Sequence, residues 1–308
     1  MKKILVIGSL NMDFSIKTDL IPKIGETVIG SSFTLVPGGK GANQAYALGK
    51  LGANVSMLGM VGDDPYATAL INNLNSVSVD TEKISKLKDT NTGVAFVTVD
   101  KTGDNSIIVI SGANHKITKE YIDQNIELIN NSDIIIMQLE IPLEVVSYVA
   151  KLAHNLGKTV ILDPAPAINN LSEEIYQNVD IIKPNETELS TLTGIDIRTD
   201  DDIKNAAKNI INRGVSNVIV TLGGKGSILV NKEEIKNFSV IDVPVVDTTA
   251  AGDSFTAALA ISLAKGENLH EAINYAHIVS SIVVTKEGAQ SSIPTIDEIN
   301  KFIKEREL

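Results

Sequence analysis

With 308 residues, 43% of them hydrophobic and 21% charged, the chain has the make-up of a soluble globular protein, long enough for one large core or for a core with an appended smaller unit. It has no cysteine, which excludes disulfides, thiolate catalysis and cysteine-held zinc, and fits a reducing compartment such as the cytoplasm. A net charge of −11, no basic cluster and no apolar run near the ~20 residues of a bilayer span argue against nucleic acid and membrane as partners.

Lys3–Ile7 reads as a first buried strand. The apolar stretch after the two lysines is too short for a signal peptide and runs into Asn11 and Asp13. Residues 13–36 hold no good helix, only Pro22, Gly25, Gly30 and β-branched positions. Val55–Leu58 is a second short apolar run. Residues 92–111 alternate apolar and polar positions (Val94, Phe96, Val97, Val99), turn at Lys101–Asn105 and return through Ile107–Ile110, a hairpin pattern with one covered face. From about Asn131 the runs Asp133–Gln138, Thr159–Leu162, Asp180–Ile182 and Asn217–Thr221 alternate with amphipathic stretches such as Leu143–Asn155, the signature of parallel strands buried on both faces. Ser227–Val230 and Val243–Val246 read as further strands, and helices begin near Gly252, Leu269 and Ile296. The expected fold is one α/β unit: a mostly parallel central sheet between helix layers, with a small β lid made of residues 13–36 and 92–111.

Five segments could carry chemistry. In residues 247–255 (DTTAAGDSF), small residues and a glycine open an apolar helix. Backbone N–H groups left uncovered there, reinforced by the helix dipole, suit a phosphoryl group, and Asp253 could take a proton from an attacking hydroxyl. The plainer alternative is an Asp that merely favours a helix N-terminus. Residues 37–44 (PGGKGANQ) form a glycine-rich turn, either meeting a ligand or hinging the lid. They match neither the P-loop nor the dinucleotide fingerprint, since Gln44 stands in the third glycine position. Asn11 and Asp13 follow the first strand, where open α/β sheets bind ligands, and could hold a polyol or simply form an Asx turn; Glu140 ends another strand with the same ambiguity. Asn185 and Glu188 in KPNETE have capping-box spacing and could also organise water around Mg²⁺. Residues 221–226 (TLGGKG) lie between two strands and could bend over a nucleotide. The four histidines, His115, His154, His270 and His277, show no metal-ligand spacing.

In this order, GSLNMD, GGKGANQA, GAN (112–114), MQLE, DPAPA (163–167), PNETE, TLGGKG, DTTAAGDSF and GAQSS (288–292) resemble the ribokinase family of carbohydrate kinases, from Gly8 to Ser292. The resemblance implies ATP-dependent phosphorylation of a sugar primary hydroxyl, with D-ribose the first expectation. Deoxyribose, a nucleoside, a ketose or a non-catalytic sugar-binding role are the alternatives, and the absence of Trp mildly disfavours a pocket that stacks a purine. It implies a sugar pocket of Asn11, Asp13, Gly39, Lys40, Gly41, Asn43 and Glu140, with Asp253 as base and the amides of Ala250, Ala251 and Gly252 as anion hole. ATP would meet Asn185, Thr221, Gly223, Gly226, Gly252 and His277, and Glu188 would act through Mg²⁺. A monovalent cation, usually K⁺, would be held by Asp247, Thr249, Val283, Lys286, Gly288 and Ser292. The lid would pair with that of a second subunit in a homodimer. One residue departs from the pattern: Asp163 stands where Asn is expected before Pro-Ala-Pro, adding a negative charge near the phosphate region.

Overall fold

Short apolar runs with no polar face can only be satisfied as strands covered on both sides, and that requirement organises the chain. A computed structural model describes residues 1–307. The first third contains β1 (Ile4–Ile7), β2 (Asn11–Thr18), β3 (Gly30–Gly38), α1 (Lys40–Lys50), β4 (Val55–Leu58), β5 (Met60–Gly62), α2 (Pro65–Asn75), β6 (Ser85–Leu87), β7 (Gly93–Val99) and β8 (Asn105–Ile110). There follow α3 (Lys119–Gln124), α4 (Ile126–Asn130), β9 (Ile134–Gln138), α5 (Leu143–Asn155), β10 (Thr159–Asp163), α6 (Glu173–Tyr176), β11 (Ile181–Ile182), α7 (Glu186–Thr193) and α8 (Asp200–Asn212). The chain ends with β12 (Asn217–Thr221), β13 (Ser227–Asn231), β14 (Ile235–Phe238), α9 (Ala251–Lys265), α10 (Leu269–Val283) and α11 (Ile296–Glu305).

The main sheet has the order β14-β13-β12-β11-β10-β9-β1-β4. It is parallel from β4 to β12, with β13 and β14 added antiparallel at one edge. Successive side chains on a strand point to opposite faces. Ile4, Val6, Ile134 and Ile136 therefore join the core packed by α1, α2, α9, α10 and α11. Leu5, Ile7, Ile135 and Met137 join the core packed by α3, α5 and α8. This is the three-layer α/β architecture expected from the sequence.

A second sheet, β3-β2-β7-β8, is built from the two strand-rich excursions. β2 and β7 run parallel, and the outer pairs are antiparallel. Register places Phe14, Leu35, Phe96 and Ile108 in one row on one face. Asn11 and Asp13, on alternate positions of β2, share the other face.

Three strands were not foreseen: β14 at the edge of the main sheet, and the short parallel pair β5–β6. Conversely, Val243–Val246 is not a strand. Pro244 removes a ladder donor, Val245 and Val246 are exposed, and the segment forms a loop whose Val246 amide donates to the Val284 carbonyl at 2.7 Å. Its branched side chains are apolar because Val243 and Val245 wall a cleft rather than pair in a sheet.

Candidate active site

Asp253 lies in the first turn of α9, buried. Ala250 precedes the helix at φ 59°, in the left-handed region, so the chain turns sharply into the helix with no side-chain cap. Among the described residues the amides of Ala250, Gly252 and Asp253 have no protein acceptor, whereas the Ala251 amide donates to the Thr248 carbonyl at 3.2 Å. Of the three amides expected from sequence to form an anion hole, those of Ala250 and Gly252 are open donors and that of Ala251 is engaged within the turn. The amide of Asp253 itself is a further open donor in the same first turn.

Both oxygens of Asp253 accept side-chain amides. Asn43 Nδ2 donates to Oδ2 and Gln44 Nε2 to Oδ1, each at 3.0 Å. Asn43 Oδ1 accepts from Gln290 Nε2 at 2.9 Å, so this amide, read from sequence as offering itself to a hydroxyl, is engaged at both ends within the protein. Burial raises the Asp253 carboxyl above its usual range, with Lys40 opposing and Asp163 adding to the rise. Burial alone would lower the Lys40 ammonium, but Asp253, Asp163, Glu140 and Glu188 together outweigh it and hold the charge firmly in place.

Beyond Asp253 lie the other residues expected from sequence to meet the sugar. Asp13 is pushed up to about 7 by burial, then by the charges of Glu140 and Asp253, and its Oδ1 is buried with no partner among the described residues. An orphaned carboxylate oxygen is costly unless something donates to it, and a polyol hydroxyl would. Asn11 Oδ1 accepts from Asn114 Nδ2 at 2.7 Å. Glu140 accepts from the Ser9 hydroxyl and from the Lys40 amide (3.0 Å), which fixes it against the start of α1; burial raises its carboxyl too. The glycine-rich turn has a packing reason of its own. Gly39 has φ 87°, and a Cβ there would lie 2.7 Å from the Asn11 amide nitrogen, so the start of α1 approaches β2 as only glycine allows.

On the other side of Lys40 and Asp253 opens a cleft of about 520 Å³. Its lining includes Asn185, Glu188, Thr221, Gly223, Gly226, Gly252 and His277, so the sequence-derived nucleotide residues converge, separate from Asn11, Asp13, Gly39, Gly41, Asn43 and Glu140. Lys40 and Asp253 sit where the two groups meet. Asn185 and Glu188 form the capping box of α7, each side chain accepting the other's amide at 2.8 Å, and burial raises Glu188. His277 is held by Ser227 Oγ at 2.8 Å and by an edge contact with Phe255, and burial lowers it to about 4, so it is neutral at physiological pH. Gly226, at φ 96°, passes so close to the Phe238 carbonyl that a Cβ would lie 1.9 Å from its oxygen.

Asp247 joins two loops. Its Oδ1 accepts from the Thr249 amide (2.9 Å) and hydroxyl (2.7 Å), and its Oδ2 from the Gly288 amide (2.8 Å). Burial opposes ionisation here, but these bonds outweigh it and lower the carboxyl. Ser292 Oγ donates to Ala289 O at 2.6 Å, the Val283 carbonyl accepts the Lys286 amide at 3.1 Å, and the Lys286 ammonium pairs with Glu298. An ionised carboxylate among hydroxyl and carbonyl oxygens is a donor set that fits a hard cation. Among the described residues no three His, Cys, Asp or Glu side chains converge as a metal cage. Mg²⁺ in the cleft would therefore be held chiefly by phosphate oxygens and water, with Glu188 beside it, as that ion's chemistry favours.

Sequence reading did not single out Gln44, Asn114, Lys183 or Gln290 as site residues. Each has a partner more than forty positions away, for Lys183 the Gly252 carbonyl, a relation that no local pattern signals.

The pfkB family carbohydrate kinase model matches residues 1–296. The chain is 40% identical over 303 residues to the ribokinase of Bacillus subtilis, covering 98% of this chain and 100% of that one. It is 37% identical over 300 residues to the deoxyribokinase of Salmonella typhi, with 97% and 98% covered. The structure of Arabidopsis thaliana ribokinase complexed with ribose and ATP matches it with a TM-score of 0.91 at 35% identity, over 98% of this chain and 99% of that one. No helix among the described residues is long and apolar enough to cross a membrane.

Proposed function

This chain belongs to the pfkB family of carbohydrate kinases, enzymes that phosphorylate sugars with ATP, and from that premise we propose that it transfers the γ-phosphoryl group of ATP to the primary hydroxyl of D-ribose. The observation that carries the reading is Asp253 at the boundary of two pockets. The orphaned Asp13 oxygen lies on one side, and the cleft with the open amides of α9 lies on the other. The sugar is held by Asn11, Asp13 and Glu140, the adenine end of ATP lies along Val243, Val245 and His277, and the phosphates reach the head of α9. Asp253 accepts the hydroxyl proton as oxygen attacks phosphorus in line, and its raised carboxyl, closer to working pH than a free Asp, suits that role. The open first-turn amides and Lys40 stabilise charge as it spreads over the transferring group. Mg²⁺, which Glu188 would hold through water, would supply neutralisation of the phosphate charge, and Asp247 would hold K⁺ between the two loops that it already joins.

The β3-β2-β7-β8 sheet acts as the lid over the sugar and, through its exposed apolar strands, as the contact of a homodimer in the cytoplasm. Relatives that act on deoxyribose are almost as similar as those that act on ribose. Deoxyribose is therefore the second reading, and steady-state rates on the two sugars decide between them. The reaction itself is tested with Asp253→Asn. ADP release should fall at least ~100-fold while the protein still binds ATP, because a lost general base costs ~10²–10⁴-fold. A variant with near-normal turnover would remove Asp253 from the role.

A further inference from the structure

Lys183, between β11 and α7, is 4% exposed. Its ammonium lies 3.2 Å from Asp163 Oδ2 and donates to the Gly252 carbonyl at 3.3 Å, at the head of α9, where Lys183 and Asp163 both line the cleft. Asp163, at the end of β10, is 2% exposed, and its Oδ2 also accepts Gln44 Nε2 at 2.9 Å. The same Nε2 donates to Asp253 Oδ1. Gln44 Oε1 is taken by Gln138 Nε2 at 2.6 Å, which fixes the amide so that its two hydrogens face two buried carboxylates. Such an arrangement is self-consistent only if one of the two negative charges has its own counterion. None of the steps above uses Asp163 or Lys183, and Asp163 is the residue that departs from the expected Asn.

We propose that Lys183 and Asp163 form one charge-compensated unit that, through Gln44, positions the carboxylate of Asp253 for catalysis. Both are positioning residues. Lys183 neutralises the extra acid so that Gln44 can hold the base beside it, and its bond to the Gly252 carbonyl pins the same helix start. The ionisable groups facing Asp253 are Lys40 from α1, Asp13 from β2, Glu140 after β9 and Asp163 from β10; Glu188 on α7 faces Lys183 first, then Asp163 and Lys40. Of these neighbours Asp163 is the one joined to Asp253 through a shared donor. A buried pair of this kind is hurt more by losing one partner than by losing both charges together.

The inference rests on the kinase reading, and the test separates the two. Lys183→Met, Asp163→Asn and the double variant are compared for kcat, both KM values, the pH profile of kcat/KM and Tm. Lys183→Met should lower kcat about ten- to hundredfold, leave the sugar KM little changed and move the acid limb of the profile to higher pH. Adding Asp163→Asn should recover most of the lost kcat, reverse the pH shift and restore Tm. If the double variant stays as impaired as Lys183→Met and the ATP KM rises in both, Lys183 serves the phosphates directly and the proposal is wrong. If the unmodified protein phosphorylates no sugar, the kinase reading fails instead. The Tm cycle then decides the pairing alone: recovery in the double variant supports it, and additive losses overturn it.

Discussion

Two strands of nearly the same composition meet opposite fates. β9, Ile-Ile-Ile-Met-Gln, is buried at every position, while β8, Asn-Ser-Ile-Ile-Val-Ile, is exposed at every position. β9 lies between two helix layers and divides its side chains between two cores. β8 is the edge of a four-stranded sheet with nothing beyond it. An apolar β-branched run thus identifies a strand, and the layers around that strand decide whether its apolar surface contributes stability or waits for a partner.

The contrast is tested most strongly in the main sheet. Ile136→Ala opens a cavity in a core that cannot collapse around it, and should cost ~2–5 kcal/mol in chemical denaturation, the usual range for a fully buried Ile. A loss under 1 kcal/mol would mean that the core around β9 is far less tightly packed than its burial indicates.

The same contrast explains how much was legible beforehand. The parallel strands could be read because each is a short run with no polar face, and α5 could be read to its ends from periodicity alone. β14 was missed because Ile-Lys-Asn-Phe, three of its four positions exposed, lacks such a run. Val243–Val246 was over-read because branched residues lining a cleft look like branched residues in a strand. At the site, Ala-Ala-Gly-Asp announced the head of α9 because local chain geometry produces it. The hydrogen bonds that set the Asp253 carboxylate come from Asn43 and Gln44, about 210 positions away, and only folding brings them together.

A smaller effect is expected on the site-facing side of the small sheet. Asp13 is held at about 7, against 3.8 for a free Asp, so the folded state keeps a proton that the unfolded chain releases. Its stabilising contribution is complete below about 3.8, falls as pH rises and is lost once pH passes about 7. Asp13→Asn, which does not titrate, should therefore flatten the dependence of Tm on pH between 4 and 7 and leave the variant a few degrees more stable than the parent at pH 8. The same substitution should raise the sugar KM, because the carboxylate oxygen that awaits a hydroxyl is gone. An unchanged Tm–pH curve would show that Asp13 ionises normally in the folded protein.

The smallest effect on folding is expected on β8, where it is also the most informative. Ile108 is 65% exposed, so Ile108→Ala should change the stability of the monomer by no more than ~0.5 kcal/mol, within the range of surface substitutions. Ile108→Lys should be equally mild for the fold, since a charged residue on an edge strand is a common natural guard against pairing. If the exposed apolar row Leu35, Phe96 and Ile108 is covered by the same row of a second copy, the lysine buries a charge at that contact and moves the sedimentation coefficient from dimer toward monomer at micromolar concentration. A lysine variant that sediments as the parent does, with the same sugar KM, would leave this row without a partner. The exposure of β8 would then be a tolerated edge rather than half of an interface.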